Sequence, residues 1–155
     1  MVFFFLIAAL AAADLLIKAE IESREGKDFP KPLDKRGWIT LHKSHNPGLP
    51  FGLLKKNEEA VRMIPVAMAS ALGGILVWLL QRRGHLYEKL AYSITIGGAL
   101  SNLYDRFRRH YVVDYFSINY GRLKKVIFNL GDMMIFAGSL LILIHELWES
   151  IRDGR

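Results

Sequence analysis

The sequence of 155 residues contains no cysteine. Disulfides, thiolate catalysis and cysteine-ligated metal sites are therefore excluded. Histidine offers no clear metal site either, because HELWE at 145–149 lacks the second histidine of a zinc-protease HExxH helix. His42 and His45 have a spacing that suits metal ligands, but nothing else in the sequence completes a site. We therefore expect no metal and no cofactor, and no basic–aromatic pattern indicates nucleic-acid binding.

Charge is also nearly absent from four apolar blocks, while it is crowded into the segments between them. About 20 apolar residues cross the hydrocarbon core of a bilayer. The block Met63–Leu80 has no charge and no polar face, which argues against the alternative of a soluble helical bundle. We predict a mainly α-helical polytopic membrane protein, with a single domain over 1–155 and four transmembrane helices at about 2–18, 61–80, 88–104 and 128–148.

Two long loops, about 19–59 and 105–127, lie on the same side of the membrane if there are four spans. Both contain residues typical of strands, in Trp38–Leu41 and in YVVDYFSINY at 111–120. The loops hold eight and six Lys or Arg residues, against three in the short loop 81–89. The positive-inside rule alone would therefore place them in the cytoplasm. The first loop also holds seven acids, and folded loops obey this rule less closely.

Two acidic residues have no explanation in their local sequence. Asp114 has apolar residues on both sides, and Asp132 lies near the start of an apolar run with no adjacent cation. Asp14, by contrast, has Lys18 four residues later, so the two can pair on one helix face while Lys18 extends to the membrane surface. Two carboxyl groups in a low-dielectric site tend to share one proton. Asp114 and Asp132 could therefore activate a water and protonate a leaving amine, which is aspartyl-protease chemistry.

Three asparagines, Asn46, Asn102 and Asn129, offer amides that could orient carboxylates or a bound peptide backbone. Turn or capping chemistry is the competing explanation, above all for Asn46, which precedes a Pro-Gly pair. Asp105 stands beside Arg106 at a predicted helix end, where an ion pair or a cap is the ordinary explanation.

Four motifs, taken together and in order, resemble the bacterial lipoprotein signal peptidase (signal peptidase II) family over about 10–143. DLLIK at 14–18 is similar to the family's Asp-x-x-x-Lys, and NPGLPFG at 46–52 resembles Asn-x-Gly-Ala-Ala-Phe-Gly. GGALSNLYDRFRRHYVVDYF at 97–116 is close to Gly-Gly-Ala-x-Gly-Asn-x-x-Asp-Arg-x-x-x-Gly-x-Val-Val-Asp-Phe. FNLGDMMI at 128–135 resembles Phe-Asn-x-Ala-Asp-x-x-Ile.

The resemblance implies an aspartic endopeptidase that removes the signal peptide of prolipoproteins by cleaving before a diacylglyceryl-modified cysteine. The family's catalytic aspartates fall on Asp114 and Asp132. The resemblance also implies a small β-rich extracytoplasmic cradle and cytoplasmic termini. The active site would then lie near the outer surface of the bacterial cytoplasmic membrane. This topology conflicts with the orientation that the positive-inside rule predicts from the charge count. We follow the family here, and we expect prolipoproteins and membrane lipids as partners, and a monomer. The implied supporting residues are Asp14, Lys18, Asn46, Gly48, Asn102, Asp105, Arg106 and Asn129.

The chain departs from the family pattern at several positions, among them the following five. Leu49 and Pro50 replace two alanines, Ser101 and His110 replace glycines, and Gly131 replaces an alanine. We expect the bulk at 49 and 50 to narrow the substrate pocket and to weaken inhibition by cyclic peptide antibiotics. Two other functions stay open: a family-like membrane protein that binds lipoproteins or lipids without cutting them, and a transporter subunit whose acids carry protons.

Overall fold

The computed structural model describes residues 1–49, 53–54 and 56–154, and four long helices dominate these residues. Each helix occupies one of the predicted segments. Helix α4 begins two residues later and ends five residues later than predicted, and the other helices extend by two to five residues at one or both ends. The helices are α1, Val2–Ser23; α2, Glu58–Leu80; α3, Leu86–Arg108; and α4, Leu130–Asp153.

Among the described residues, α1, α2 and α4 are long and apolar enough to cross a membrane. Helix α3 has 23 residues and packs against all three, but it carries more polar side chains. Several of these are buried inside the protein, where Ser93 and Thr95 donate hydrogen bonds to the carbonyl oxygens of Lys89 and Ala91. Three of the four predicted membrane helices thus meet the criteria of length and composition, and the assignment of α3 stays a prediction.

The two long loops combine in one antiparallel sheet of three strands. The strands are β1, Lys31–Pro32; β2, Ile39–Asn46; and β3, Val112–Ile118, in the order β1-β2-β3. Because β2 comes from the first loop and β3 from the second, both loops lie at the same end of the helices, as predicted. Asn46 pairs with Val112, so the end of β2 meets the start of β3 next to Asp114.

Helices α3 and α4 approach each other closely where both carry glycine. A Cβ atom at Gly98 would collide with the carbonyl oxygen of Gly131 and would lie 3.0 Å from the Cβ of Met134. A Cβ atom at Gly138 would lie 2.8 Å from the carbonyl oxygen of Ala91. Small residues allow helices in membranes to pack at such short range. This contact places the first turn of α4, which carries Asp132, against α3.

We predict that Gly98→Ala and Gly138→Ala each lower the melting temperature by several degrees, because the added methyl groups push α3 and α4 apart. Overpacking of this kind typically costs about 1–3 kcal/mol. Gly74→Ala in α2 is the matched control, since a Cβ there has no neighbour within 4 Å and alanine is the better helix former. Thermal unfolding in detergent measures all three variants, and equal melting temperatures would contradict the close contact.

Candidate active site

Asp114 is held by two asparagines on the buried side of β3, where it is only 5% exposed. Its Oδ1 accepts a hydrogen bond from Asn129 Nδ2 at 2.7 Å, and its Oδ2 accepts one from Asn46 Nδ2 at 3.2 Å. Asn46 also forms the turn that its sequence context suggests, because its Oδ1 accepts the N–H of Gly48 at 3.0 Å. Both explanations for Asn46 therefore hold, since one side chain shapes the turn and contacts the carboxylate.

Asp132 occupies the first turn of α4, and its position follows from the start of that helix. Asn129 is the N-cap: its Oδ1 accepts the N–H of Asp132 at 2.8 Å, and Asp132 Oδ2 accepts the N–H of Asn129 at 3.3 Å. This reciprocal capping box is a common way to begin a helix. The same Asn129 side chain donates to Asp114, so it bridges the two acids across β3 and α4.

Both acids line one cavity of about 600 Å³. Asn46 and Arg106 complete its polar side, and most of the remaining wall is apolar. Helix α4 contributes residues such as Ile135 and Phe136, and β3 and the segment before α4 contribute others. Such a cavity fits an extended apolar group that brings one polar bond up to the carboxylates.

Burial is the main reason that Asp114 holds its proton more strongly than an ordinary aspartate. It raises the pKa of Asp114 from 3.8 to about 6, and the nearby charge of Asp132 is the second cause. The hydrogen bonds from Asn129 and Asn46 lower the pKa because they favour the ionised form, but they do not offset the burial. The site therefore contains a carboxyl group that is partly protonated near neutral pH.

Lys18 and Asp14 lie behind the acids in a buried polar cluster. Lys18 Nζ is 2.7 Å from Asp14 Oδ2 and 3.3 Å from Asp105 Oδ2, and both members of the Asp14 pair are fully buried. The predicted Asp14–Lys18 pair is thus confirmed, whereas the prediction that Lys18 extends to the membrane surface is wrong. Its ammonium group turns inward because α1 and α3 supply buried polar partners there.

Lys18 also fixes the orientation of the amide that contacts Asp132. Its Nζ donates to Asn102 Oδ1 at 2.8 Å, so that Asn102 Nδ2 points the other way and donates to Asp132 Oδ1 at 2.9 Å. A flipped Asn102 would place its NH₂ group against the ammonium. The cation therefore acts on the active-site carboxylate through one intervening side chain.

Asp105 and Arg106 are both part of the site but do not pair with each other. Asp105 Oδ1 accepts from Arg109 at 2.7 Å, and its Oδ2 accepts the N–H of Val113 at 3.1 Å. Arg106 reaches the cavity and donates to the carbonyl oxygens of Asn102 and Gly48, each at 3.2 Å. Gly48, predicted as a supporting residue, thus contributes its backbone. Asp105 ties the end of α3 to the start of β3.

Three residues outside the predicted site enclose Asp14. Tyr115 donates its hydroxyl to Asp14 Oδ1 at 3.0 Å and accepts the N–H of Leu130 at 2.9 Å. Ser101 donates to Asp14 Oδ2 at 2.6 Å. A Cβ at Gly131 would lie 2.9 Å from that same oxygen, so glycine leaves space for the carboxylate.

Sequence signals for these residues exist but are weak. Tyr115 follows Asp114 in an apolar strand, and a buried tyrosine hydroxyl usually requires a partner. Ser101 and Gly131 are departures from the family pattern, and both lie next to Asp14. Relative to that pattern, Ser101 adds a hydroxymethyl group beside the carboxylate, and Gly131 removes a methyl group.

Two further departures concern backbone geometry and pocket shape. His110 has φ 67°, a conformation that glycine adopts more easily. Pro50 lies outside the described residues, so the expected narrowing of the pocket by Leu49 and Pro50 stays a prediction. The described part of the chain has no group of three or more acidic or histidine side chains placed to hold a metal.

The fold and the site define a class of protein: a helical membrane protein in which a buried asparagine bridges two acids at an apolar cavity. The sequence profile of the family described as Signal peptidase (SPase) II matches residues 6–148. The chain belongs to the signal peptidase II family, as its motifs predict.

Relatives and solved structures agree with this assignment. The lipoprotein signal peptidases of Brucella ovis, Brucella abortus and Brucella melitensis are each 28% identical over 142 residues, which is 92% of this chain and 87% of theirs. Two structures described as a bacterial membrane enzyme solved by the in meso method share 22% identity with it. Their TM-scores are 0.82 and 0.79, covering 96% and 94% of this chain and 89% and 92% of theirs. This likeness shows that the fold is shared.

We predict that Asp114→Asn changes how stability depends on pH. The pKa of Asp114 is about 6 in the folded protein, whereas an ordinary aspartate has a pKa of 3.8. Between these two pH values, the folded parent therefore binds more protons than the unfolded chain. Its stability therefore falls as pH rises from 4 through 6, by up to about 3 kcal/mol. The variant lacks this dependence, so its melting temperature relative to the parent should rise between pH 4 and pH 8.

The control for this experiment is Asp153→Asn at the exposed end of α4. Thermal unfolding of parent, variant and control in the same detergent at both pH values supplies the comparison. A parent–variant difference that stays constant with pH would mean that the pKa of Asp114 is not raised.

We predict that Tyr115→Phe lowers stability by about 1–3 kcal/mol, the usual cost of unpairing buried polar groups. The change removes a donor to Asp14 and leaves the N–H of Leu130 without its acceptor. Tyr104→Phe is the matched control because Tyr104 is 50% exposed. Thermal unfolding measures both, and equal shifts for the two variants would exclude a structural role for the Tyr115 hydroxyl.

Proposed function

We propose that this protein is an aspartic endopeptidase that removes the signal peptide of prolipoproteins by cleaving before a diacylglyceryl-modified cysteine. The observation that carries the proposal is the bridge from Asn129 to both Asp114 and Asp132 at the wall of an apolar cavity. Membership of the signal peptidase II family and the lipoprotein signal peptidases among its relatives support the substrate class.

The reaction follows from one proton shared by two carboxyl groups. We assign the shared proton of the resting site to Asp114, whose pKa burial raises to about 6. The ionised Asp132 takes a proton from a water molecule, whose oxygen then bonds to the carbonyl carbon of the peptide. Asp114 gives its proton to the departing nitrogen as the C–N bond breaks. The proton that Asp132 took from the water then returns to Asp114, which restores the resting state for the next cycle.

Arg106 is suited to hold the substrate backbone. Arg106 lines the cavity, and its two Nη atoms each donate one hydrogen bond, to the carbonyl oxygens of Asn102 and Gly48. Its Nε–H is buried and has no hydrogen-bond partner within the described part of the chain. Buried donors are rarely left unpaired, so we propose that the guanidinium shifts when the precursor binds and that this N–H then donates to one of the precursor's carbonyl oxygens.

The apolar wall suits the lipid part of the substrate. Phe136 lines the cavity and is itself 66% exposed on α4, so the cavity is open towards the side of the helix bundle. An acyl chain of the modified cysteine could therefore enter from the bilayer and lie along α4. The polar bond to be cut would then stop at the level of the carboxylates, where α4 begins.

We also infer that all four helices cross the cytoplasmic membrane of a bacterium and that the sheet lies on its outer side. The close packing of α3 with the other three helices supports a fourth span. Prolipoproteins reach this side after export, so the carboxylates at the sheet would meet them there. We expect a monomer, because the cavity is built from one chain.

We predict that Asp114→Asn and Asp132→Asn each reduce cleavage of a diacylglyceryl-modified prolipoprotein by at least about a thousandfold. Each variant removes one half of the proton exchange, so the double variant should be hardly slower than either single one. The assay follows the shortened product in proteoliposomes.

Asp28→Asn, an exposed acid in the first long loop, is the control and should cleave at the parental rate. Melting temperatures of the variants separate loss of chemistry from loss of fold. Normal cleavage by either variant would remove that acid from the catalytic pair. A parent that binds the precursor without shortening it would instead favour the non-cleaving alternative.

A further inference from the structure

A surface at the tips of the two long loops carries cations and exposed apolar groups that the proposed reaction does not use. Leu33, Trp38, Tyr120 and Leu123 are 60%, 51%, 67% and 42% exposed. The cations beside them are exposed as well. We call this surface the basic patch; it consists of Leu33, Lys35, Arg36, Trp38, Tyr120, Arg122, Leu123, Lys124 and Lys125.

Hydrogen bonds and stacking hold the two loop tips side by side. The rings of Trp38 and Tyr120 stack with centroids 6.5 Å apart. Between them, Asn119 donates its N–H to the carbonyl oxygen of Trp38 at 2.8 Å. Its Nδ2 donates to the carbonyl oxygen of Gly37 at 2.6 Å and to Thr40 Oγ1 at 2.8 Å. The patch is therefore one surface, although its halves are about 80 residues apart in sequence.

Each tip is an ordered turn. Asp34 accepts the N–H groups of Arg36 at 3.0 Å and Ile39 at 2.9 Å. In the other tip, the N–H of Leu123 bonds to the carbonyl oxygen of Tyr120 at 3.0 Å. The side chains of the patch are thus presented by preorganised backbone, which reduces the entropy lost when they bind.

The charge of the patch is strongly positive and is not neutralised within the protein. Its two segments, 33–38 and 119–125, hold five Lys or Arg residues and one acid, Asp34, whose carboxylate already accepts backbone N–H groups. None of the five cations forms an ion pair with any described residue. Cations interleaved with Trp, Tyr and Leu are the combination that binds anionic membrane surfaces.

The position of the patch fits the same partner. Leu123 belongs both to the patch and to the wall of the 600 Å³ cavity, which it shares with Phe136 on the exposed side of α4. A bilayer that surrounds α4 therefore reaches the patch at the end of the cavity beside Leu123 and the sheet. Lipid headgroups are the negative groups at that level.

We propose that the basic patch docks on anionic phospholipid headgroups, with Trp38, Tyr120 and Leu123 inserted among them. This contact holds the sheet down on the membrane surface and keeps the end of the cavity at the depth of the headgroups. The docking does not depend on the proposed cleavage, since a protein that only binds lipids would dock in the same way.

Quenching of Trp38 fluorescence tests the proposal in the full-length protein. Trp78→Phe/Trp148→Phe leaves Trp38 as the one tryptophan of the three in the sequence. In nanodiscs, brominated phosphatidylglycerol should quench Trp38 at least twofold more than brominated phosphatidylcholine, and added salt should reduce this difference. Arg122→Glu/Lys124→Glu in the same background should abolish the difference.

Lys27→Glu/Lys56→Glu is the matched control, because both lysines are exposed in the first long loop outside the patch. It should leave the quenching unchanged, as should Asp132→Asn, which separates docking from cleavage. Equal quenching by the two lipids would overturn the proposal. Full quenching of Trp38 after charge reversal in the patch would also overturn it. If charge reversal weakened binding of the precursor but left quenching unchanged, an acidic protein segment would be the occupant of the patch instead of lipid.

Discussion

The side-chain amide of Asn129 has one acceptor and one donor face, and each secures a different element that carries an acid. The oxygen caps α4 at Asp132, and the nitrogen binds Asp114 on β3. Rotating the amide by half a turn would set an NH₂ group against the N–H of Asp132 and an oxygen against a carboxylate. Both errors cost free energy in a buried site, so beginning the helix and positioning the two acids are one event.

A buried ammonium group provides the second level of support. Lys18 would be unstable inside a membrane protein if it were alone, but Asp14, Asp105, Ser101 and Asn102 surround it. These partners come from α1 and α3, and Tyr115 links Asp14 to β3 and to the start of α4. Helix α1 therefore sets the geometry of the carboxylates, although the cavity is lined by other elements. Removing one member of such a network leaves the others unpaired, which is more damaging than losing one bond.

The predictable parts of this molecule are those determined by local sequence. Uninterrupted apolar runs predicted the helices, and strand-forming residues in both loops predicted the sheet. Asp114 and Asp132 stood out because no neighbour in the sequence explains a charge there; their catalytic role remains a proposal. The burial of Lys18 and the role of Tyr115 were not predicted, because they depend on partners that lie 83 to 101 residues away: Ser101 and Asn102 for Lys18, and Asp14 for Tyr115. Hydropathy alone does not select α3 as a span, because its Ser, Thr and Asn side chains are polar, and several of them are buried inside the protein.

The two bridged acids come from elements that are made at different times. Asp114 is on a strand between the third and fourth helices, and Asp132 is in the last helix, together with the cap that connects them. A growing chain therefore has only one of the two bridged acids, and no bridge between them, until the residues of α4 have been made. Under the proposed function, hydrolysis is timed by biosynthesis: a nascent chain cannot cut the polypeptides that surround it, and no separate inhibitory segment is required.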